Sequence, residues 1–143
     1  VSLAANVVSN TEMNAPAAGT TVVRRVIGTS EEIACTNTSY PALAVLSYLA
    51  ASNYIIGTVL VSGIIRVQVD MKTSANTAYG RIVKNQLLVT EFTTTSTSYA
   101  AKSHDVSCNV GDIITFQMHA TASRTATFRN LKVTADAGNM VIA

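Results

Sequence analysis

Ile64-Ile65-Arg66-Val67-Gln68-Val69-Asp70-Met71-Lys72 alternates apolar and polar side chains without a break from Ile65 to Lys72. Successive Cβ atoms of a strand point to opposite faces, so Ile65, Val67, Val69 and Met71 share one face and Arg66, Gln68, Asp70 and Lys72 the other. A helix would scatter both sets around its circumference, so the stretch predicts a strand with one buried face. The pattern continues downstream. Ser74-Ala75-Asn76 marks a turn, 77–83 a strand, Lys84-Asn85-Gln86 a turn and 87–92 a further apolar run. A Thr/Ser tract over 93–98 leads into 99–106, Asn109-Val110-Gly111-Asp112 makes a turn, and strands follow over 113–119 and 125–133. Strands recurring every 8–12 residues between turn signals read as an all-β sandwich or barrel, and the fold expected is a two-sheet antiparallel β-sandwich of about eight strands, jelly-roll-like.

Upstream, 21–27 and 32–36 read as strands, while 42–51 fits a strand or a short helix because Ala and Leu favour helix. Residues 1–20, with Pro16 and Gly19 among Ala, Asn and Ser, read as an extended arm, leaving one domain over 21–143. A weak internal echo links Ile64-Ile65…Gln68…Ser74 to Ile113-Ile114…Gln117…Ser123, and Thr77-Ala78…Arg81 to Thr125-Ala126…Arg129. It reads as one hairpin unit used twice.

Charged residues make up only 13% of the 143 positions, and 32 positions are Thr or Ser. A net charge of +2 is too small to hold nucleic acid by field strength. No charged residue occurs from 33 to 65, yet Ser52-Asn53, Gly57 and Ser62-Gly63 break that stretch into short runs, which speaks against a membrane span. Cys35 and Cys108 match no metal spacing and read as two reduced, packed thiols. A surface so poor in charge suits a protein covered by copies of itself or by partners.

Nothing in the sequence spells catalysis. Ser103, His104 and Asp105 are neighbours on a strand and point to opposite faces, and no Gly-x-Ser-x-Gly elbow or Gly-rich phosphate loop occurs. His119 falls on the polar face of its strand. No pair of carboxylates stands out, no cofactor is expected and no metal site is expected. Tyr40, Tyr48, Tyr54, Tyr79 and Tyr99 could stack on a sugar in a chain without Trp, although core or interface packing accounts for them as well. Arg81 and Arg129 hold matching places in the echo. Such arginines donate to backbone carbonyls or cross a subunit interface, and Arg66, Arg81, Arg129, Tyr79 and Tyr99 are the candidate interface residues.

The ordered series Gly63 to Lys72, Thr77-Ala78-Tyr79-Gly80-Arg81-Ile82-Val83-Lys84-Asn85, Thr94-Thr95-Ser96-Thr97-Ser98-Tyr99, Val110-Gly111-Asp112 and Phe128-Arg129-Asn130-Leu131 resembles a β-sandwich module of tailed-bacteriophage structural proteins, found in head fibres, capsid decorations and tail appendages. The resemblance covers 60–134. It implies a jelly-roll-like domain, often trimeric, on the virion surface, partnered by itself and by another virion protein such as the major capsid protein. It supplies no catalytic residues. Where Gly usually follows the Lys-Asn turn this chain has Gln86, which removes the Asn-Gly hairpin signal and predicts a longer connection. The expected function is therefore a self-assembling virion structural subunit. The alternatives are a receptor- or carbohydrate-binding module of a phage fibre, with a glycan as ligand, and a filament subunit.

Overall fold

The computed structural model describes residues 21–49, 52–136 and 140–141. The expected arm over 1–20 lies outside the described residues. Among them are ten strands: β1 (Thr21–Arg25), β2 (Ile33–Cys35), β3 (Asn53–Val59), β4 (Gly63–Thr73), β5 (Ala78–Lys84), β6 (Leu87–Thr94), β7 (Ala100–Cys108), β8 (Ile113–Ala120), β9 (Ala126–Asp136) and β10 (Met140–Val141). They form two antiparallel sheets. The first runs β1-β9-β4-β7, with β2 also on β9, and the second runs β10-β3-β8-β5-β6.

The pairing is nested: β5 with β6, β4 with β7, β3 with β8, and β1 and β2 with β9. That is the order of a chain folded once into a long hairpin and then rolled, the jelly-roll arrangement expected. Only β5–β6 is closed locally. Its turn takes two residues, Asn85 (φ 51°) and Gln86 (φ 68°), which corrects the expectation of a longer connection. Left-handed Gln86 costs about 1–2 kcal/mol relative to a relaxed backbone. The turn is held by its neighbour: Asn85 N donates to Ile113 O at 3.0 Å, and Asn85 Oδ1 accepts from Ile113 N at 2.9 Å.

The apolar face read from β4 is the core face, with Ile65, Val67, Val69 and Met71 all at most 1% exposed. Facing it are Ile114, Phe116 and Met118 of β8, all fully buried. Phe116 sits at the centre, its ring 6.1 Å from Phe128 and 6.4 Å from Phe92. Gly80 opposite has no room for more, since a Cβ there would lie 2.6 Å from Phe116 Cζ. Cys35 and Cys108 are free and buried. Burial is the main cause that pushes both thiols above their ordinary pKa. A bulge at Asn130 (φ 56°) shifts the β4–β9 register, and there β1 gives way to β2 along the same edge of β9.

The echo is not a hairpin. β4 and β5 lie in different sheets, as do β8 and β9, so each unit is an arch crossing the sandwich. The two arches clasp one another at one end. Ser74 N donates to Thr125 O at 2.9 Å, Thr125 N donates to Ser74 Oγ at 3.0 Å, and Thr121 Oγ1 both donates to Thr77 O at 2.9 Å and accepts from Thr77 N at 3.2 Å.

Residues 42–49 correct the reading of a strand or short helix over 42–51, of which 50–51 lie outside the described residues. They form an irregular loop with one isolated bridge, Leu49 to Asn53. The reason is competition for backbone acceptors: side chains of the second sheet take the carbonyls of Pro41, Ala42 and Ser47. Among the described residues no helix is long and apolar enough to cross a membrane.

Candidate ligand-binding site

The connection from β2 to β3 spans 36–52 and carries no charged residue. Loops of this length without regular structure are uncommon in a compact domain and are often functional. Where described, this one lies over the outer face of the second sheet and is fastened there by side chains that alternation alone would send to solvent.

Gln117, fully buried, is the central fastening. Its Nε2 donates to Ala42 O at 3.0 Å, and its Oε1 accepts from Arg81 Nε at 2.8 Å. The Arg81 guanidinium also donates to Pro41 O at 2.8 Å and stands 4.1 Å above the Tyr40 ring. Buried Asn53 donates to Ser47 O at 2.7 Å, and Ala120 N to Asn37 O at 2.7 Å. Tyr40 completes the seam by donating its hydroxyl to Glu91 Oε2 at 2.7 Å. Burial and then the Glu91 carboxylate push that hydroxyl far above the ordinary phenol pKa, so it stays a donor.

His119 lies on the outer face as expected, but inside an aromatic stack. Tyr79 lies parallel to it at 4.0 Å, and Tyr40 meets it edge-on at 4.3 Å. Its Nδ1 lies 3.0 Å from Ala120 O, and because a carbonyl only accepts, Nδ1 carries the proton. Beside this stack opens a cleft of about 500 Å³. Its lining brings together the hydroxyl residues Thr36, Thr38, Ser39 and Ser52, the amide of Asn37, the Tyr40 ring, and the apolar walls Pro41 and Leu49. Asn37 Nδ2 donates to Ser52 Oγ, which ties the two ends of the loop across the cleft. None of these lining residues is ionised.

The sequence-predicted candidates divide between opposite outer faces. Tyr79 and Arg81 are on the second sheet, in the stack just described. Arg129 and Tyr99 meet on the first, the guanidinium 3.8 Å above the ring, with Lys72 4.6 Å from the ring centre. There Tyr99 donates to Glu32, and Arg129 pairs with Asp70 at 3.5 Å. Burial, helped by Glu32, pushes the Tyr99 hydroxyl up to about 12. Arg66 stands apart in a two-pronged pair with Asp105, at 2.7 and 3.2 Å. Hydrogen bonding to Arg66 holds the Asp105 carboxyl below its ordinary range. His104 and Asp105 do point to opposite faces, pairing with Val67 and Arg66 respectively. Sequence reasoning missed Gln117, Glu91 and the loop itself. The uncharged stretch from 33 to 65 and the turn-rich Asn37-Thr38-Ser39-Tyr40-Pro41 were the signals available. Among the described residues no group of three or more His, Cys, Asp or Glu could hold a metal ion.

No protein-family model matches the sequence, and no curated protein matches it. Solved structures that it resembles include CBM35 from Paenibacillus barcinonensis, at 19% identity and a TM-score of 0.44, over 80% of this chain and 98% of that one. Another is the CBM36-1 domain of a multidomain xylanase from the hindgut metagenome of Trinervitermes trinervoides, at 13% identity and a TM-score of 0.48, over 83% and 99%. A third is a family 35 carbohydrate binding module from Clostridium thermocellum, at 16% identity and a TM-score of 0.42, over 80% and 98%.

Proposed function

We propose that the chain is a binding module for a neutral glycan, taken up in the cleft of the β2–β3 loop. The observation that supports this is the cleft's composition: hydroxyls and one amide to exchange hydrogen bonds with sugar hydroxyls, the Tyr40 ring for a sugar's apolar face, and no ionised group among the lining. The fastenings of Gln117, Arg81 and Asn53 hold the loop before any ligand arrives, which lowers the ordering cost of binding. Uncharged, hydroxyl-rich lining supplies recognition and no acid–base pair, so binding rather than turnover is the reading it favours. The placement of such a module on the outside of a bacteriophage particle rests on the resemblance over 60–134 and is part of the proposal.

The test is a glycan array followed by titration calorimetry with neutral oligosaccharides that score. Dissociation constants of about 0.1–1 mM are expected, or about −4 to −5.5 kcal/mol. Tyr40→Ala should weaken binding at least about tenfold, a loss of about 1.4 kcal/mol. Because Tyr40 also fastens the loop, Thr38→Val serves as the companion variant: it alters the lining and leaves the loop's hydrogen bonds in place. Arg66→Ala, on the opposite face, should bind as the parent does. A blank array, or wild-type affinity in both cleft variants, ends the proposal.

A further inference from the structure

A second pocket lies beside the bend that closes the β2–β3 loop. Leu49 N donates to Asn53 O at 3.0 Å and Asn53 N to Leu49 O at 2.9 Å, pinching the chain where it enters β3. Leu49 and Ser52 line the cleft described above. Tyr48, next to Leu49, and Tyr54, just past Ser52, line this pocket instead, together with Val26, Glu31 and Ile55. Its volume is about 330 Å³, within the range of roughly 300–1,000 Å³ usual for small-molecule sites. The two sets of lining residues do not overlap.

The polar wall of the pocket is set in place by the chain itself. Glu31 belongs to the β1–β2 connection, where its N donates to Gly28 O at 3.3 Å and its Oε1 accepts from Gly28 N at 3.1 Å. Those bonds fix the carboxylate without neutralising it, and among the described residues no Lys, Arg or His pairs with it. Tyr48 meets Tyr54 edge-on, with ring centres 5.0 Å apart and hydroxyls 3.5 Å apart. Tyr54 is 6% exposed and Tyr48 58%, so one ring anchors and the other is open to a ligand. This set selects among ligands. An anion is repelled by Glu31. A cage for an ammonium takes several accessible rings, and here Tyr54 is spent in the wall. A neutral sugar unit uses every part: its apolar face on Tyr48, its hydroxyls donating to the two carboxylate oxygens, and its edge against Val26 and Ile55.

We infer that this pocket is a second glycan site, taking a neutral sugar unit whose hydroxyls donate to Glu31 while its apolar face covers Tyr48. It rests on the reading of the chain as a glycan-binding module and extends that reading from one pocket to two. The test is an amide chemical-shift titration of the chain with neutral trisaccharides of glucose, galactose, mannose and N-acetylglucosamine at about 10 mM, enough to fill a site with a dissociation constant of about 1 mM. Two groups of amides should move, one around Glu31, Tyr48 and Ile55 and one around Thr38 and Tyr40. Tyr48→Ala should weaken the first group's titration at least about tenfold and leave the second unchanged, while Tyr48→Phe, which keeps the ring, stays within about threefold of the parent. A trisaccharide of galacturonic acid should leave the first group still in the parent and move it in Glu31→Gln, which keeps an acceptor for Gly28 N. Shifts confined to the Thr38–Tyr40 group overturn the second site and leave the cleft reading standing. Shifts confined to the Glu31–Tyr48 group end the cleft reading and leave this one, and no shift in either group ends both. The second site also falls if Tyr48→Ala titrates there as the parent does, or if the parent takes the acidic trisaccharide there as readily as the neutral ones.

Discussion

On the outer face of the first sheet, Gln68 is half-buried and accepts one hydrogen bond, from Thr134 at 3.3 Å. Its counterpart in the echo, Gln117 on the outer face of the second sheet, is fully buried and bridges Arg81 to the backbone of Ala42. Arg129 and Arg81 differ in the same way. The first lies over Tyr99 beside Asp70, and the second is stitched to a loop carbonyl under Tyr40. Matching residues on matching strands thus end in unlike surroundings, because one outer face faces water and the other is roofed by the loop residues 37–47. What a polar strand residue does is decided by what lies over it, and alternation reports only which side it is on.

The comparison is broken most readily at the glutamines. Gln117→Ala strands the Arg81 Nε–H and the Ala42 carbonyl in a buried seam, so a loss of about 2–4 kcal/mol is expected by urea denaturation. Gln68→Ala should cost no more than about 0.5 kcal/mol. Equal losses would mean that the roof contributes nothing. The arginines sharpen it at a smaller scale. Arg81→Ala, losing two hydrogen bonds and a ring contact, should cost about 1–2 kcal/mol, against less than about 1 kcal/mol for Arg129→Ala, which loses an ion pair at 3.5 Å and a ring contact. Should Arg129 prove the costlier of the two, the first sheet's face is the more tightly built.

The smallest effect is one of pH. The folded state raises the Tyr99 hydroxyl to about 12, so it holds that proton more tightly than the unfolded chain does. The associated stability is complete below the ordinary phenol pKa of about 10 and is lost as pH rises through about 12. Tyr99→Phe should flatten part of the decline in urea midpoint across that window. Tyr40, raised further by its burial against Glu91, should keep its share. A decline identical in parent and Tyr99→Phe would show that the first sheet's Tyr–Glu contact does not form in solution.

How far the sequence discloses all this follows from the same contrast. The strands of the second half and the inward set Ile65, Val67, Val69 and Met71 were legible because period-2 alternation is local and needs no knowledge of the partner strand. Thr115 and Gln117 alternate just as well, yet both are buried on the outer side of β8, and Gln117 is bonded there to a loop that precedes it by more than sixty positions. No local pattern carries that information. The two-residue turn at Asn85-Gln86 was hidden for a related reason, since its strained geometry is held by Ile113 and Asp112 at the β7–β8 connection. Tyr79 and Arg81 were singled out as candidates, and the structure sets them beside the cleft. The cleft itself is made of Thr, Ser and Asn residues that look, in sequence, like any other part of a Thr/Ser-rich chain.

The nested pairing also sets an order in time. Closing a loop costs entropy that grows with the length left free between the ends. The turn at Asn85-Gln86 has two residues to close, and every other pair in the series spans the pairs inside it. Once β5 and β6 have joined, the free chain between β4 and β7 shrinks to their two short connections, and each later pair gains in the same way. The roll therefore closes from the middle of the chain outward, the edge of β9 receiving β1 and β2 last. Folding through such long-range pairs is slow, on the order of milliseconds to seconds for sandwiches of this kind. A chain emerging from the ribosome can begin it only after Thr94 has been made, and can finish only after β9.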